Sequence, residues 1–408
     1  MNLNDIRAEF PILSSSVYSR PLVYLDNAAS SQRPLSVVKK LEQLSLESNA
    51  NIHRAVHALA AKATIEYESA REAVRKALNA ELSEEIVFTS GTTAAINLVA
   101  SSFGEAFIGE GDEIILSVAE HHSNIVPWQL LCQRKKAHIK VLEIAQNGEL
   151  SAEGLEKMIS SRTKIVAISQ ISNVLGLINP LKEIIEAAHS CGVPVLVDGA
   201  QGFVHQKTDV RALDCDFYVF SGHKVFATTG TGVLYGKKKW LDEMPPYMAG
   251  GEMIGTVSFE KTTFAPLPQK FEAGTQNFNG IPTLVPALGL REKCLTDREL
   301  IKNMEEITSY VLQVLSSDPR ISLYGVPRRT SDKIPLFSFT VNGVHHEDLA
   351  LIMDKMGIAL RSGQMCAEPL MDHFGVTGML RASFAPYNTM DEARFFIECL
   401  DKAIRMLK

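Results

Sequence analysis

The chain has 408 residues, 46% of them apolar and 22% charged, with a net charge of -6 at pH 7. That balance describes a globular protein long enough for two domains. The acidic surplus argues against a nucleic-acid partner, which would need a basic footprint. No apolar run approaches the thickness of a bilayer: residues 281–290 carry Pro282 and Pro286 and are far too short, so no membrane partner is expected either.

Residues 1–7 lack the basic-then-apolar pattern of a secretory leader, and a cytoplasmic location is the expectation. From 57 to 80 the spacing predicts a helix, with Leu59, Ile65, Tyr67, Val74 and Leu78 on one broad face. Short apolar runs then alternate with helical stretches at 85–90, 113–117, 139–143, 164–169, 193–197, 217–220 and 232–236. Continuously apolar runs of this length read as parallel strands covered on both faces. After about residue 290 the texture changes. A helical segment at 297–315 leads to strand patterns at 336–341 and 358–362, with helices at 346–356 and from 391 onward. The expected architecture is α/β: a large domain at 22–290 around a mainly parallel seven-stranded sheet, and a smaller α+β domain from 1–21 and 291–408. Six cysteines are scattered without CxxC pairs, which fits neither a disulfide framework nor a zinc site; no metal is expected.

Ligands of an open parallel sheet bind at the carboxyl ends of its strands, so the residues that follow each run carry the functional signal. After 85–90 come Gly91, Thr92 and Thr93 at the start of a helix. These residues suit a phosphate, although threonine also serves as an ordinary N-cap. After 113–117 come His121 and His122, where an imidazole could stack on a planar ring and move protons. Asn173 follows 164–169 and is either a polar site residue or a turn residue. Asp198 and Gln201 follow 193–197. A carboxylate at the end of an apolar strand needs a cation, which a protonated pyridine nitrogen or a nearby basic side chain could provide. Ser221, His223 and Lys224 follow 217–220, and an apolar site would favour the neutral amine of Lys224, able to attack an aldehyde. Together these strand ends offer a Schiff-base lysine, an acid for a ring nitrogen and a phosphate anchor, the set required by pyridoxal 5′-phosphate (PLP).

The segments GTTAAINL, AEHHSNIVPWQ, SNVLG, VDGAQ, DCDFYVFSGHK and FEAGTQN, in that order, resemble the cysteine desulfurases of PLP fold type I. ALRSGQMCAEPLM and LRASFAPYNT are similar to the Suf-type, or group II, branch, which also contains the cysteine sulfinate desulfinases. The resemblance implies that Lys224 carries the cofactor and Asp198 pairs with its pyridine nitrogen. Gln201 would bond the phenolic oxygen and His121 would stack on the ring. Thr93, Ser221 and His223, with Thr92 nearby, would hold the phosphate, and Thr275 would reach it across a homodimer interface. Arg381, assisted by Asn173, would clamp the substrate carboxylate, with Arg361 and His53 as further site residues. Cys366 matches the nucleophile, and a nearby cation such as Arg361 would favour its thiolate. Cys132, Cys191, Cys215 and Cys399 lie in or beside apolar segments typical of structural thiols.

The implied reaction turns L-cysteine into L-alanine and leaves the sulfur on Cys366 as a persulfide, for delivery to an acceptor protein or for iron–sulfur cluster assembly. Cysteine sulfinate or selenocysteine would be cleaved without the thiolate, and dominance of those activities is the alternative. An aminotransferase or β-lyase of the same fold would share Lys224 and Asp198 but not need Cys366. The sequence departs from the resemblance after Lys224, where Val225-Phe226-Ala227-Thr228-Thr229-Gly230 replaces the usual Tyr-Gly-Pro-Thr-Gly turn. Removing a permissive and a rigid position predicts an altered loop there.

Overall fold

A computed structural model describes residues 3–408. Its largest sheet has strands β1 (Ile86–Thr89), β2 (Glu113–Ser117), β3 (His138–Leu142), β4 (Thr163–Ser169), β5 (Val195–Asp198), β6 (Phe217–Ser221) and β7 (Gly232–Gly236). Their spatial order is β1-β7-β6-β5-β4-β2-β3. Each of the seven apolar runs read from the sequence is a strand of this sheet. Parallel pairing holds from β6 through β3, but β7 runs antiparallel to both β1 and β6. No crossover helix separates β6 from β7; the chain turns at 222–231 and comes straight back, which only an antiparallel pair permits.

Alternation along each strand divides the sheet between two cores. Ile115, Val166, Ile168, Val195, Val197 and Phe220 face one side, while Ile114, Leu116, Ile165, Ala167, Leu196 and Val219 face the other. The helix expected at 57–80 spans Ala58–Leu78, yet its buried stripe is Ala60, Ala63, Tyr67, Ala70, Arg71, Val74 and Leu78. Leu59 and Ile65 are exposed, contrary to the expected face. The three- and four-residue steps from Ala60 to Leu78 define a stripe that leaves both off the core.

A second sheet is antiparallel throughout and contains β8 (Ile321–Tyr324), β9 (Leu336–Val341), β10 (Arg361–Gly363) and β11 (Met379–Ser383) in the order β8-β9-β11-β10. Helices Arg298–Ser317, His346–Lys355 and Met390–Leu407 accompany it, with Ile307, Phe339, Leu349 and Phe396 in the shared core. The single strand expected at 358–362 is two: Ile358–Ala359 pairs parallel with Val23–Tyr24, and β10 joins β11. The beginning of the chain thereby touches both halves. Val23 and Leu25 lie in the core of the second sheet, whereas Ile6, Phe10 and Leu13 join the core of the first. We propose a large and a small domain on the separation of the two sheets, at 22–290 against 291–408, with the N-terminal segment, expected in the small domain, as a strap packed against both cores. Among the described residues no helix is long and apolar enough to cross a membrane.

Candidate active site

A cavity of about 530 Å³ opens at the carboxyl ends of the parallel strands, where such sheets bind ligands. Thr92 and Thr93 reach it from the end of β1, His121 from β2, Asn173 from β4, Asp198 and Gln201 from β5, and Ser221, His223 and Lys224 from β6. Arg361, Cys366 and Arg381 enter from the second sheet. These twelve residues were expected to form a site, and one cavity collects them.

One wall is a cup of donors. Gly91, at φ 153°, starts the helix Thr92–Phe107 in a backbone conformation that side-chain-bearing residues rarely adopt. Ser221 Oγ accepts the Thr92 N–H at 2.8 Å and lies 2.8 Å from Thr92 Oγ1, and Thr93 Oγ1 is 2.7 Å from Ser123 Oγ. β7 passes directly beneath: a Cβ on Gly232 would lie 2.3 Å from Gly91 Cα. A helix N-terminus ringed by hydroxyls makes this cup suited to a phosphate. Burial, together with the Lys224 and Arg33 charges, lowers the pKa of His223 to about 4, so it is neutral there.

The floor holds groups poorly satisfied as they stand. Asp198 is 5% exposed, accepts the Ala200 N–H at 2.9 Å, and has its pKa raised by burial. Burial lowers that of Lys224, with Asp198 opposing and Arg381 adding to the effect. A ring cation would satisfy the carboxylate, and the amine is disposed toward its reactive neutral form. His121 Nδ1 accepts the Ser123 N–H at 3.0 Å, which leaves the proton of the neutral ring on Nε2. Its pKa falls to about 4 through burial and the charges of Lys224, His122 and Arg381. Gln201 is oriented by donating to the Ala28 carbonyl at 2.8 Å. This donor set fits PLP: an anion cup, a buried acid and a lysine amine around one cavity.

Arg381, 3% exposed on β11, donates to the Asn173 carbonyl at 2.8 Å and to Asp26 at 3.3 Å. Arg361 meets the other oxygen of Asp26 at 3.0 Å. Two guanidinium groups thus share one carboxylate, and the buried Nε of Arg381 has no partner among the described residues. The surplus charge suits a substrate carboxylate. Cys366 is exposed, on a loop where Met365 and Cys366 both sit at φ 55°; Asn173 Nδ2 donates to the Met365 carbonyl at 2.9 Å.

Two expected residues lie elsewhere within this chain. His53 lines a second, smaller concavity with Gly274 and Gln276, its Nε2 3.0 Å from a Glu68 oxygen. Thr275 is exposed beside that concavity. Among the cysteines, Cys132, Cys215 and Cys399 are buried as expected, but Cys191 is exposed at the end of its helix. Two residues behind the site carry no sequence signal of it. Asp26 pairs with both arginines, yet nothing along the chain links residue 26 to residue 381. Glu120 stands inside AEHHSN with no assigned role, whereas His122, expected beside His121 as a stacking imidazole, lines the cavity and meets the cysteine loop.

The altered turn after Lys224 is packed rather than loose. Phe226 adopts φ 70°, its ring lies 5.7 Å from that of Phe10, and its N–H donates to Ser31 Oγ at 2.9 Å. Ala227, within this turn, is not left-handed and needs no glycine freedom.

The class-V aminotransferase profile (Aminotransferase class-V) matches residues 23–396. A cysteine desulfurase of Cronobacter sakazakii is 44% identical, with 100% of this chain and 99% of that one aligned. The chain is a class-V aminotransferase of the cysteine desulfurase group. Its fold is therefore PLP fold type I, and the family is PLP-dependent. The solved structure of the cysteine desulfurase CsdA from Escherichia coli, in an S-sulfonic acid form, superposes with a TM-score of 0.91 at 40% identity over 100% of both chains. The apo cysteine desulfurase of Thermococcus onnurineus NA1 gives 0.91 at 34% identity, covering 99% of this chain and 98% of that one.

Proposed function

We propose that this enzyme converts L-cysteine to L-alanine and takes the sulfur onto Cys366 as a persulfide. The observation that carries the reading is a single cavity lined by Lys224, Asp198 and the thiol-bearing Cys366 loop.

Bound PLP supplies an aldehyde for the substrate amine and an electron sink for charge left at Cα. Thr92, Thr93, Ser221 and His223 would hold its phosphate, Asp198 would keep its ring nitrogen protonated, Gln201 would meet its phenolic oxygen and His121 would cover its face. Arg381, with Arg361 beside it, receives the substrate carboxylate in a forked contact, and Asn173 holds Arg381 in place. Lys224 would anchor the cofactor at rest, and its amine, which burial disposes toward the neutral form, would take the Cα proton of the substrate. The Cys366 thiolate attacks the substrate sulfur, forming an S–S bond as the Cβ–S bond breaks and its electron pair returns to the carbon skeleton. Proton return completes alanine, with Lys224 or the Nε2–H of His121 in reach. With cysteine sulfinate or selenocysteine the leaving group departs without the thiolate.

The persulfide calls for an acceptor, either a carrier protein or an iron–sulfur assembly system, in the cytoplasm. His53 and Thr275, remote from the cavity of their own chain, serve the site of a second copy in a homodimer.

The test is alanine release from cysteine, cysteine sulfinate and selenocysteine, with and without a reducing thiol. Cys366→Ser is expected to lose at least about a hundredfold on cysteine while still acting on the other two. Wild-type cysteine turnover in that variant would mean that another thiol, or none, takes the sulfur.

A further inference from the structure

We propose that His122 is a positioning residue for Cys366, clamping the cysteine loop to the cofactor-binding edge of the large sheet. The proposal rests on the reading of Cys366 as the sulfur acceptor.

Met365 and Cys366 are consecutive side-chain-bearing residues at φ 55°. That conformation is costly and persists only where surrounding contacts hold it. His122 supplies two such contacts, one at the thiol-bearing residue itself and one two residues beyond it. Its backbone N–H donates to the Cys366 carbonyl at 2.7 Å. Its imidazole Nε2 accepts the Glu368 N–H at 3.0 Å, the first N–H of the helix Glu368–Phe374. The N-cap residue of that helix, Ala367, makes no side-chain cap, so the imidazole does the capping from a different part of the fold. Asn173 holds Met365 from the opposite side.

The anchor itself is firm. His122 opens the turn His122–Asn124, and Asn124 is tied to Glu120 at 2.8 Å and to Trp128 at 3.0 Å, all three being fully buried. His121, the neighbour of His122, faces the cavity. The loop carrying the thiol is thereby referenced to the residue assigned to the cofactor's face, although the two are far apart in sequence. A nucleophile that must reach one sulfur atom in line needs that reference, since small misplacements are costly to rate.

The experiment compares cysteine with cysteine sulfinate turnover in holoenzyme of wild type, His122→Leu, His122→Gln and Cys366→Ser. The ratio of the two turnover numbers should fall about fivefold to tenfold in His122→Leu, the scale of one lost capping hydrogen bond. His122→Gln should recover most of it, because its amide oxygen can accept the Glu368 N–H. Alkylation of Cys366 by iodoacetamide, followed on its own peptide by mass spectrometry, should quicken severalfold in His122→Leu as the loop loosens. If His122→Leu does not fold, His122→Phe makes the same comparison with a ring that has no acceptor. An unchanged ratio, a parallel fall on both substrates, or failure of His122→Gln to recover would each overturn the positioning role. Retained cysteine turnover in Cys366→Ser would instead overturn the sulfur-acceptor reading beneath it.

Discussion

Glu120 sits behind the cofactor floor with 0% exposure. Its oxygens accept from Ser117 at 2.5 Å, Asn124 at 2.8 Å and Ser169 at 3.4 Å, all neutral donors. Burial raises its pKa from 4.5 to about 7, and the nearby Asp198 charge pushes the same way. A carboxyl with a raised native pKa contributes stability that is present below 4.5 and lost as pH rises through about 7. Ionising it in place therefore costs on the order of 3 kcal/mol above neutrality. Glu120→Gln keeps the shape, retains an acceptor for Asn124 and can donate to the two serine hydroxyls. Denaturant unfolding should show the variant gaining stability over wild type between pH 5 and pH 8; parallel curves would mean the carboxyl is already ionised at pH 5. Two lysines make a related contrast. Lys333 is 5% exposed, donates to the carbonyls of Leu175 and Gly325, and has its pKa lowered to about 7 by burial. It is as buried as a catalytic lysine needs to be, but it lines no cavity with Asp198. Burial alone does not make a lysine functional.

Two elements meet at the phosphate cup, the edge strand β1 and the helix that follows it. On the side of β1 away from β7, Arg71 donates to the Ile86 carbonyl at 2.8 Å and Glu272 accepts the Phe88 N–H at 2.7 Å. Arg71 and Glu272 are themselves paired at 2.8 Å with almost no exposure. An ion pair from two other elements thus satisfies an open sheet edge. On the other side β7 must pass close to Gly91, and only glycine at 232 permits it. Gly232→Ala should displace the start of the helix and weaken PLP binding at least about tenfold, the scale of distorting a preorganised anion site. Titration of apoenzyme with PLP, followed at the visible absorbance of the holoenzyme, measures it; wild-type affinity would show that the cup adjusts without loss. The seven strands and the last helix were legible because their apolar patterns are local signals. The direction of β7 was not, since a strand's apolar run is the same in either direction.

At the scale of the whole molecule the substrate end of the cavity depends on residues from three distant stretches. Asp26 lies on the N-terminal strap, Arg361 and Arg381 on the second sheet, and Asn173 at the end of β4. Asp26 offsets two guanidinium groups, one of them buried. Asp26→Asn leaves Arg381 short of a counter-charge and should lower stability by on the order of 3 kcal/mol. It should also raise KM for cysteine several-fold as Arg381 loses its orientation. Denaturant unfolding and steady-state kinetics check the two effects; unchanged values in both would mean Asn173 alone suffices to hold Arg381.

The sequence by itself determined the fold class, the cofactor and the residues at the strand ends, because each strand delivers its following residues to one edge. Lys224, Asp198 and His121 needed no more than that. Only the tertiary structure decided what holds Cys366 and Arg381. Their partners His122 and Asp26 come from segments up to 355 residues away, and no periodicity records contacts between separate sheets. The tertiary structure also separated His53 and Thr275 from the cavity of their own chain. The local pattern around each is that of a site residue, but where the backbone carries them is a property of the whole fold.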